Sequence, residues 1–144
     1  MKLEIMAMCD FAQADRDGKL TIVGIFDTIQ AVEVPKIQGL CALAIKMRFD
    51  KSEEGSKIIS ISIADSSGKS IMPSIEAQIQ ITKPPNMTQA ILQIVSLIPQ
   101  LSFPNFGEYS VDLNIDGKRE ASTPIFVRQA PIIPPHLQTP QQTA

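Results

Sequence analysis

Apolar and polar residues alternate along most of the chain with a period of two, the pattern that sends successive side chains to opposite faces of a strand. The clearest case is FGEYSVDLNIDGKREASTPIFV, from Phe106 to Val127. Tyr109, Val111, Leu113 and Ile115 share one face, and Ser110, Asp112, Asn114 and Asp116 the other. Beyond Asp116-Gly117 the less polar set is Ala121, Thr123, Ile125 and Val127. A two-residue loop would set Leu113 opposite Glu120 and Val111 opposite Ser122, mixing the faces. A three-residue loop ending at Gly117 sets Val111 opposite Ala121 and Tyr109 opposite Thr123. A one-residue slip reverses every face, so the pattern predicts the longer loop, with Gly117 left-handed as a bulge.

The same period predicts strands at Leu3–Asp10, Leu20–Val34, Leu40–Phe49, Lys57–Ala64 and Ser70–Thr82. The turns DRDGK and DSSGK and the loop DKSEEGS separate some of them, and Pro35 and Pro84-Pro85 end others because proline cannot donate to a ladder. Gln89–Phe103 is open between helix and strand by pattern. Its Ile and Val content, with Pro99 limiting a helix, favours a strand. After Val127 the chain turns rich in Pro and Gln. The expected organisation is one domain over residues 1–128 and an extended tail over 129–144. The fold class that follows is all-β, an antiparallel β-sandwich of seven to eight strands. Phe49, Ile61, Ile79, Leu113 and Val127 should share its core.

Upstream of the hairpin, FPNFGEYSVDL places a Gly two residues before a Tyr that begins a strand. This resembles a tyrosine corner of immunoglobulin-like sandwiches, in which the hydroxyl bonds back to upstream backbone, with plain core packing the alternative for Tyr109; the expected sandwich is immunoglobulin-like. CDFAQADRDGKLTIVGIFDTI near the start and FPNFGEYSVDLNIDGKREASTPIFV near the end together resemble a family of small bacterial all-β domains of unknown function. The resemblance covers Met1–Val127 and rests on turn and packing residues. It implies an all-β fold and a bacterial origin, and it implies no activity.

Composition narrows the functions. With 144 residues, 44% hydrophobic and 19% charged, the chain can bury a core and is globular rather than disordered. Its apolar runs fall short of the roughly 20 residues that span a bilayer, so no membrane partner is expected. MKLEIMAMCD lacks the long apolar stretch and cleavage site of a secretory signal, so the expected location is cytoplasmic, with Cys9 and Cys41 as free buried thiols. The basic residues are scattered, there is no Trp and there is one Tyr, against a nucleic-acid partner.

Partial motifs fall short of their chemistry. QADRDG has Gln13 where a calcium loop begins and Gly24 where its bidentate Glu belongs. SSGKS, at Ser66–Ser70, ends like a phosphate loop, but Ile63 stands where the first Gly is required. The only histidine, His136, lies in the Pro-rich tail, and two cysteines do not supply a four-ligand zinc site. The expectation is no cofactor, no metal and no catalytic residue. Asp15 with Asp17, and Asp10 with Asp27, remain as carboxylate pairs for an alternative ligand-binding or enzymatic reading.

One segment asks for a cover. In LTIVGIF, Leu20, Ile22, Gly24 and Phe26 face one side, while Thr21, Val23 and Ile25 face the other, which is also largely apolar. In the first strand Leu3, Ile5, Ala7 and Cys9 share a face, with Met6 and Met8 opposite. If the strands are neighbours, Met6, Met8, Val23 and Ile25 form an apolar outer patch, the candidate interaction surface. The tail with Ile132 and Ile133, the Gln89–Ile98 segment, or a second chain could cover it. Three functions stay open: a module that binds a protein partner or a second copy, a component of a larger phage or secretion-type assembly, and the carboxylate-site alternative. Because a ligand that binds the native state raises its melting temperature, calcium or ATP with magnesium should leave that temperature unchanged; a shift of several degrees with either would restore the corresponding motif.

Overall fold

A computed structural model describes residues 1–131 and 135–137. Among the described residues eleven strands run in chain order: β1 (Lys2–Ala14), β2 (Leu20–Ile25), β3 (Thr28–Ala31), β4 (Lys36–Gln38), β5 (Cys41–Asp50), β6 (Gly55–Asp65), β7 (Ile75–Ile81), β8 (Gln89–Ile98), β9 (Leu101–Phe103), β10 (Gly107–Ile115) and β11 (Lys118–Gln129). They form a four-stranded sheet in the order β2-β1-β5-β8, a five-stranded sheet in the order β3-β11-β10-β6-β7, and a two-stranded sheet, β4-β9. The fold is all-β, as the alternation predicts, with more strands than the seven to eight expected.

The extra strands arise where one alternating stretch serves two sheets. Leu20–Val34 reads as a single strand, but the chain changes sheet between Phe26 and Asp27. The Phe26 amide donates to Met8 O at 2.9 Å, in the four-stranded sheet, and Asp27 O accepts from the Phe126 amide at 2.8 Å, in the five-stranded one. From Thr28, β3 runs parallel to β11. Gln89–Phe103 divides likewise, with β8 beside β5 and β9 beside β4.

The inward rows of the two large sheets meet in one core. Met8, Leu43, Ile45, Met47 and Phe49 from the first pack with Ile59, Ile61, Val111, Leu113 and Val127 from the second. Ile79 is partly buried against the same core, so the five core positions predicted from alternation all contribute to it. Tyr109 is buried, its ring meeting that of Phe103 edge-on at 4.9 Å. The Tyr109 hydroxyl donates to Asn105 O at 2.8 Å and accepts from the Asn105 amide at 3.0 Å, the back-bond expected of a tyrosine corner.

The β10–β11 hairpin keeps the expected faces by a different route. Its loop has two residues, with Asn114 opposite Arg119 and Ile115 opposite Lys118, and both Asp116 (φ 51°) and Gly117 (φ 81°) are left-handed. A bulge at Glu120 then restores parity, so that Leu113 faces Ala121, Val111 faces Thr123 and Tyr109 faces Ile125. The predicted three-residue loop is therefore replaced by a tight turn plus one extra residue in β11.

DRDGK and DSSGK prove to be one device used twice. Asp15 Oδ1 accepts from the amides of Asp17 and Lys19, both at 2.9 Å; Asp65 Oδ1 accepts from those of Ser67 and Lys69 at 2.9 and 3.0 Å. In each, the first residue's amide donates to the lysine carbonyl at 2.9 Å and the glycine is left-handed, at φ 79° for Gly18 and 86° for Gly68. The Asp15 carboxylate of the calcium-like stretch, and the Asp65 carboxylate just before the phosphate-like one, are acceptors for their own backbone.

Gly24 takes a left-handed backbone conformation within β2. Its φ is +68°, and a Cβ there would overlap the Asp10 carboxylate. Gly24→Ala should therefore lower stability by about 1–3 kcal/mol through backbone strain and that overlap. In an Asp10→Ala background the loss should shrink to the strain alone, which a double-mutant cycle of urea denaturation curves would measure.

Candidate interaction surface

The four residues expected on one outer patch fall on two sides of the sheet. Met8 is 2% exposed and lies in the main core, with Met6 partly buried against it, whereas Val23 and Ile25 are 52% and 66% exposed. The cause lies in β1. Its register on β5 shifts between Leu3, opposite Met47, and Ile5, opposite Lys46. This bulge turns Leu3, Met6 and Met8 inward together. It also brings the Glu4 carboxylate to Arg48 Nε and to Lys46 Nζ, the latter at 3.2 Å, on the outer face. Strict alternation through Glu4 assigns Leu3 and Met6 to opposite faces, and the bulge breaks it.

Met6 and Met8 are covered by the opposing sheet, with which they pack in the main core. The Gln89–Ile98 segment is a strand of the first sheet, beside β5. Ile132 and Ile133 lie outside the described residues.

The outer face of the first sheet is covered at one end by the β1–β2 hairpin. Ala12, Leu20 and Ile22 pack with Cys9, Ala42, Ala44 and Val95 in a second apolar cluster. Gln93 Nε2, on β8, donates to Gly18 O in the hairpin turn at 2.9 Å. The pattern of β5 follows this cover. Ala42 and Ala44 are small enough for the hairpin to approach and are fully buried, while Lys46 and Arg48, further along the same face, are polar and partly exposed.

What the hairpin leaves uncovered is its other side. Phe11 pairs directly with Val23, and Ile25 with Cys9. Phe11 is 46% exposed, so Phe11, Val23 and Ile25 form an exposed apolar row on one ribbon. Phe11 lies past the expected end of the first strand at Asp10. Extending the alternation through the DRDGK turn, which sets Phe11 across from Val23, was the available signal.

Cys9 and Cys41 are buried free thiols, as expected. Cys9 Sγ donates to Ala42 O at 3.5 Å, and burial pushes both thiols above their ordinary value. Three of the four paired carboxylates are engaged locally: Asp15 binds its own turn, Asp10 lies against Gly24, and Asp27 Oδ1 accepts from the Thr28 hydroxyl at 2.9 Å. On the outer face of the five-stranded sheet a groove of about 500 Å³ is lined by Asp65, Glu108, Ser110, Asp112 and Arg119. Ser110 Oγ donates to Asp112 Oδ2 at 3.1 Å, and Arg119 Nη1 stands 3.8 Å from Asp112 Oδ1. Among the described residues no three His, Cys, Asp or Glu side chains converge as a metal site would require. No described helix is long and apolar enough to cross a membrane.

The chain belongs to a family of unknown function, DUF6941, which it matches over residues 4–128. No curated protein matches it. Among solved structures it is similar to the Pseudomonas fluorescens alkylpurine DNA glycosylase AlkC bound to DNA containing an abasic site analog, at 13% identity and a TM-score of 0.44, covering 71% of this chain and 28% of that one. It is also similar to a Bacteroides fragilis protein described as a beta-galactosidase, at 16% identity and a TM-score of 0.40, covering 66% of this chain and 15% of that one. The chain thus spans less than a third of either protein, and likenesses this distant carry no argument about activity.

The Ser67 hydroxyl, followed by the Lys69 amide, holds the Asp65 carboxyl below its ordinary value of 3.8. A depressed folded value means that this turn stabilises the fold fully above that ordinary value and loses its contribution as pH falls through the folded one. Asp65→Ala should lower the melting temperature at neutral pH and narrow its gap to the wild type in acid, as melting curves from neutral pH into strong acid would record.

Proposed function

We propose that the chain is a non-enzymatic β-sandwich module of the immunoglobulin-like kind, bacterial and cytoplasmic, that works by binding another protein. The observation that carries this reading is the row of Phe11, Val23 and Ile25, exposed side by side on a hairpin whose other face is packed down on the sheet. Burying such side chains against a partner contributes about 1.5–3 kcal/mol each when the burial is complete, so three of them form the centre of a modest interface. The sandwich reading is supported by the single core shared by the two large sheets, and the immunoglobulin-like kind by the Tyr109–Asn105 corner. The cytoplasmic setting is supported by two thiols that stay free.

Affinity capture from the host organism, run in parallel on wild type and on Val23→Lys, tests the proposal. A protein retained by the wild type and lost by the variant, with unchanged circular dichroism, is the expected outcome. Identical captures from both would remove this row as the binding surface.

A further inference from the structure

The two large sheets end in four edge strands, and three of them carry a device that discourages pairing with another chain. β2 has six residues and a left-handed Gly24 that breaks its regular backbone. β3 has only four residues, and β7 carries the charge of Glu76. β8 is different. It has ten residues, QAILQIVSLI, without charge or proline, and its register on β5 runs unbroken from Cys41 opposite Ile98 to Asp50 opposite Gln89. It lies inside the uncharged stretch Pro84–Gly107, in a chain that is 19% charged. Among the described residues β8 pairs with β5 alone, and Gln89–Ile98 make no other backbone hydrogen bond. Ile91 and Leu97, both on its outer face, are 40% and 55% exposed.

We infer that β8 pairs antiparallel with β8 of a second copy of the chain, about a two-fold axis at Ile94, so that the two four-stranded sheets continue into one. The inference deepens the reading of the chain as an interaction module by naming one of its partners. Three arguments select a second copy. A two-fold contact sets a strand against itself, so any charge on it would lie near its own like; β8 has none to repel. A two-fold axis through an antiparallel strand pair stands perpendicular to the sheet, so directly opposed residues share a face. The inward row of β8, with Ala90 and Ile98 buried and Leu92 and Ile94 partly so, is therefore prolonged by the same row of the other copy. With the axis at Ile94, Ile91 of each copy stands opposite Leu97 of the other, and the two exposed apolar residues of the strand cover one another twice.

Sedimentation equilibrium and light scattering on the full chain test the inference. A dimer in the micromolar range is expected. Ile91→Glu and Leu97→Lys should each give a monomer with a native circular dichroism spectrum, and Val23→Lys should leave the dimer intact. Mixing the I91E chain with the L97K chain should re-form a dimer, because the register places the new carboxylate of one opposite the new ammonium of the other. A wild type that stays monomeric, a dimer that survives both edge substitutions, or variants that fail to recombine would overturn it. Should Val23→Lys dissociate the dimer while L97K does not, the hairpin row is the self-contact: the interaction-module reading then stands and the β8 pairing falls. Loss of host protein capture with a persistent L97K-sensitive dimer would do the reverse.

Discussion

Every backbone amide and carbonyl that leaves one sheet must find a partner elsewhere, and in this molecule that demand is met across a single peptide step. Phe26 still donates to Met8 in the first sheet, and Asp27 already accepts from Phe126 in the second. The two sheets are thereby tied at one point by adjacent residues, with Phe26 packed against the core between them. The β1–β2 ribbon can fold over the outer face because the chain departs for the other sheet immediately after it. The parallel pairing of β3 with β11 has the same origin.

Packing then distributes polarity. β5 is apolar on both faces where the hairpin lies over it and amphipathic where it does not. Short carboxylates are spent on backbone: Asp15 and Asp65 satisfy amides of their own turns, and Asp116 Oδ1 accepts from the Ile58 amide at 2.9 Å, joining the end of the β10–β11 hairpin to β6. The acids of the two Asp-Gly-Lys turns are therefore structural acceptors, while Phe11, Val23 and Ile25 on the ribbon and Ile91 and Leu97 on β8 are large apolar side chains left facing solvent.

The sequence by itself determined the all-β class, the two carboxylate turns, the Tyr109 corner and the inward faces of β5, β6, β10 and β11. These follow from local rules, since alternation has a fixed period and an Asp-Gly turn satisfies its own amides. Tertiary structure decided the rest, for reasons no local pattern carries. A bulge costs one residue and leaves no compositional mark, so the face of Met6 and Met8, reversed at Glu4, and the parity of the last hairpin, restored at Glu120, depended on the neighbouring strand. A sheet change looks like a continuous strand until its hydrogen-bond partners are known, which is why Leu20–Val34 reads as one element and is two. Exposure is likewise relational. Val23 and Ile22 are equally apolar as letters, and only the position of Ala42, Ala44 and Val95 made one a packing residue and the other a surface.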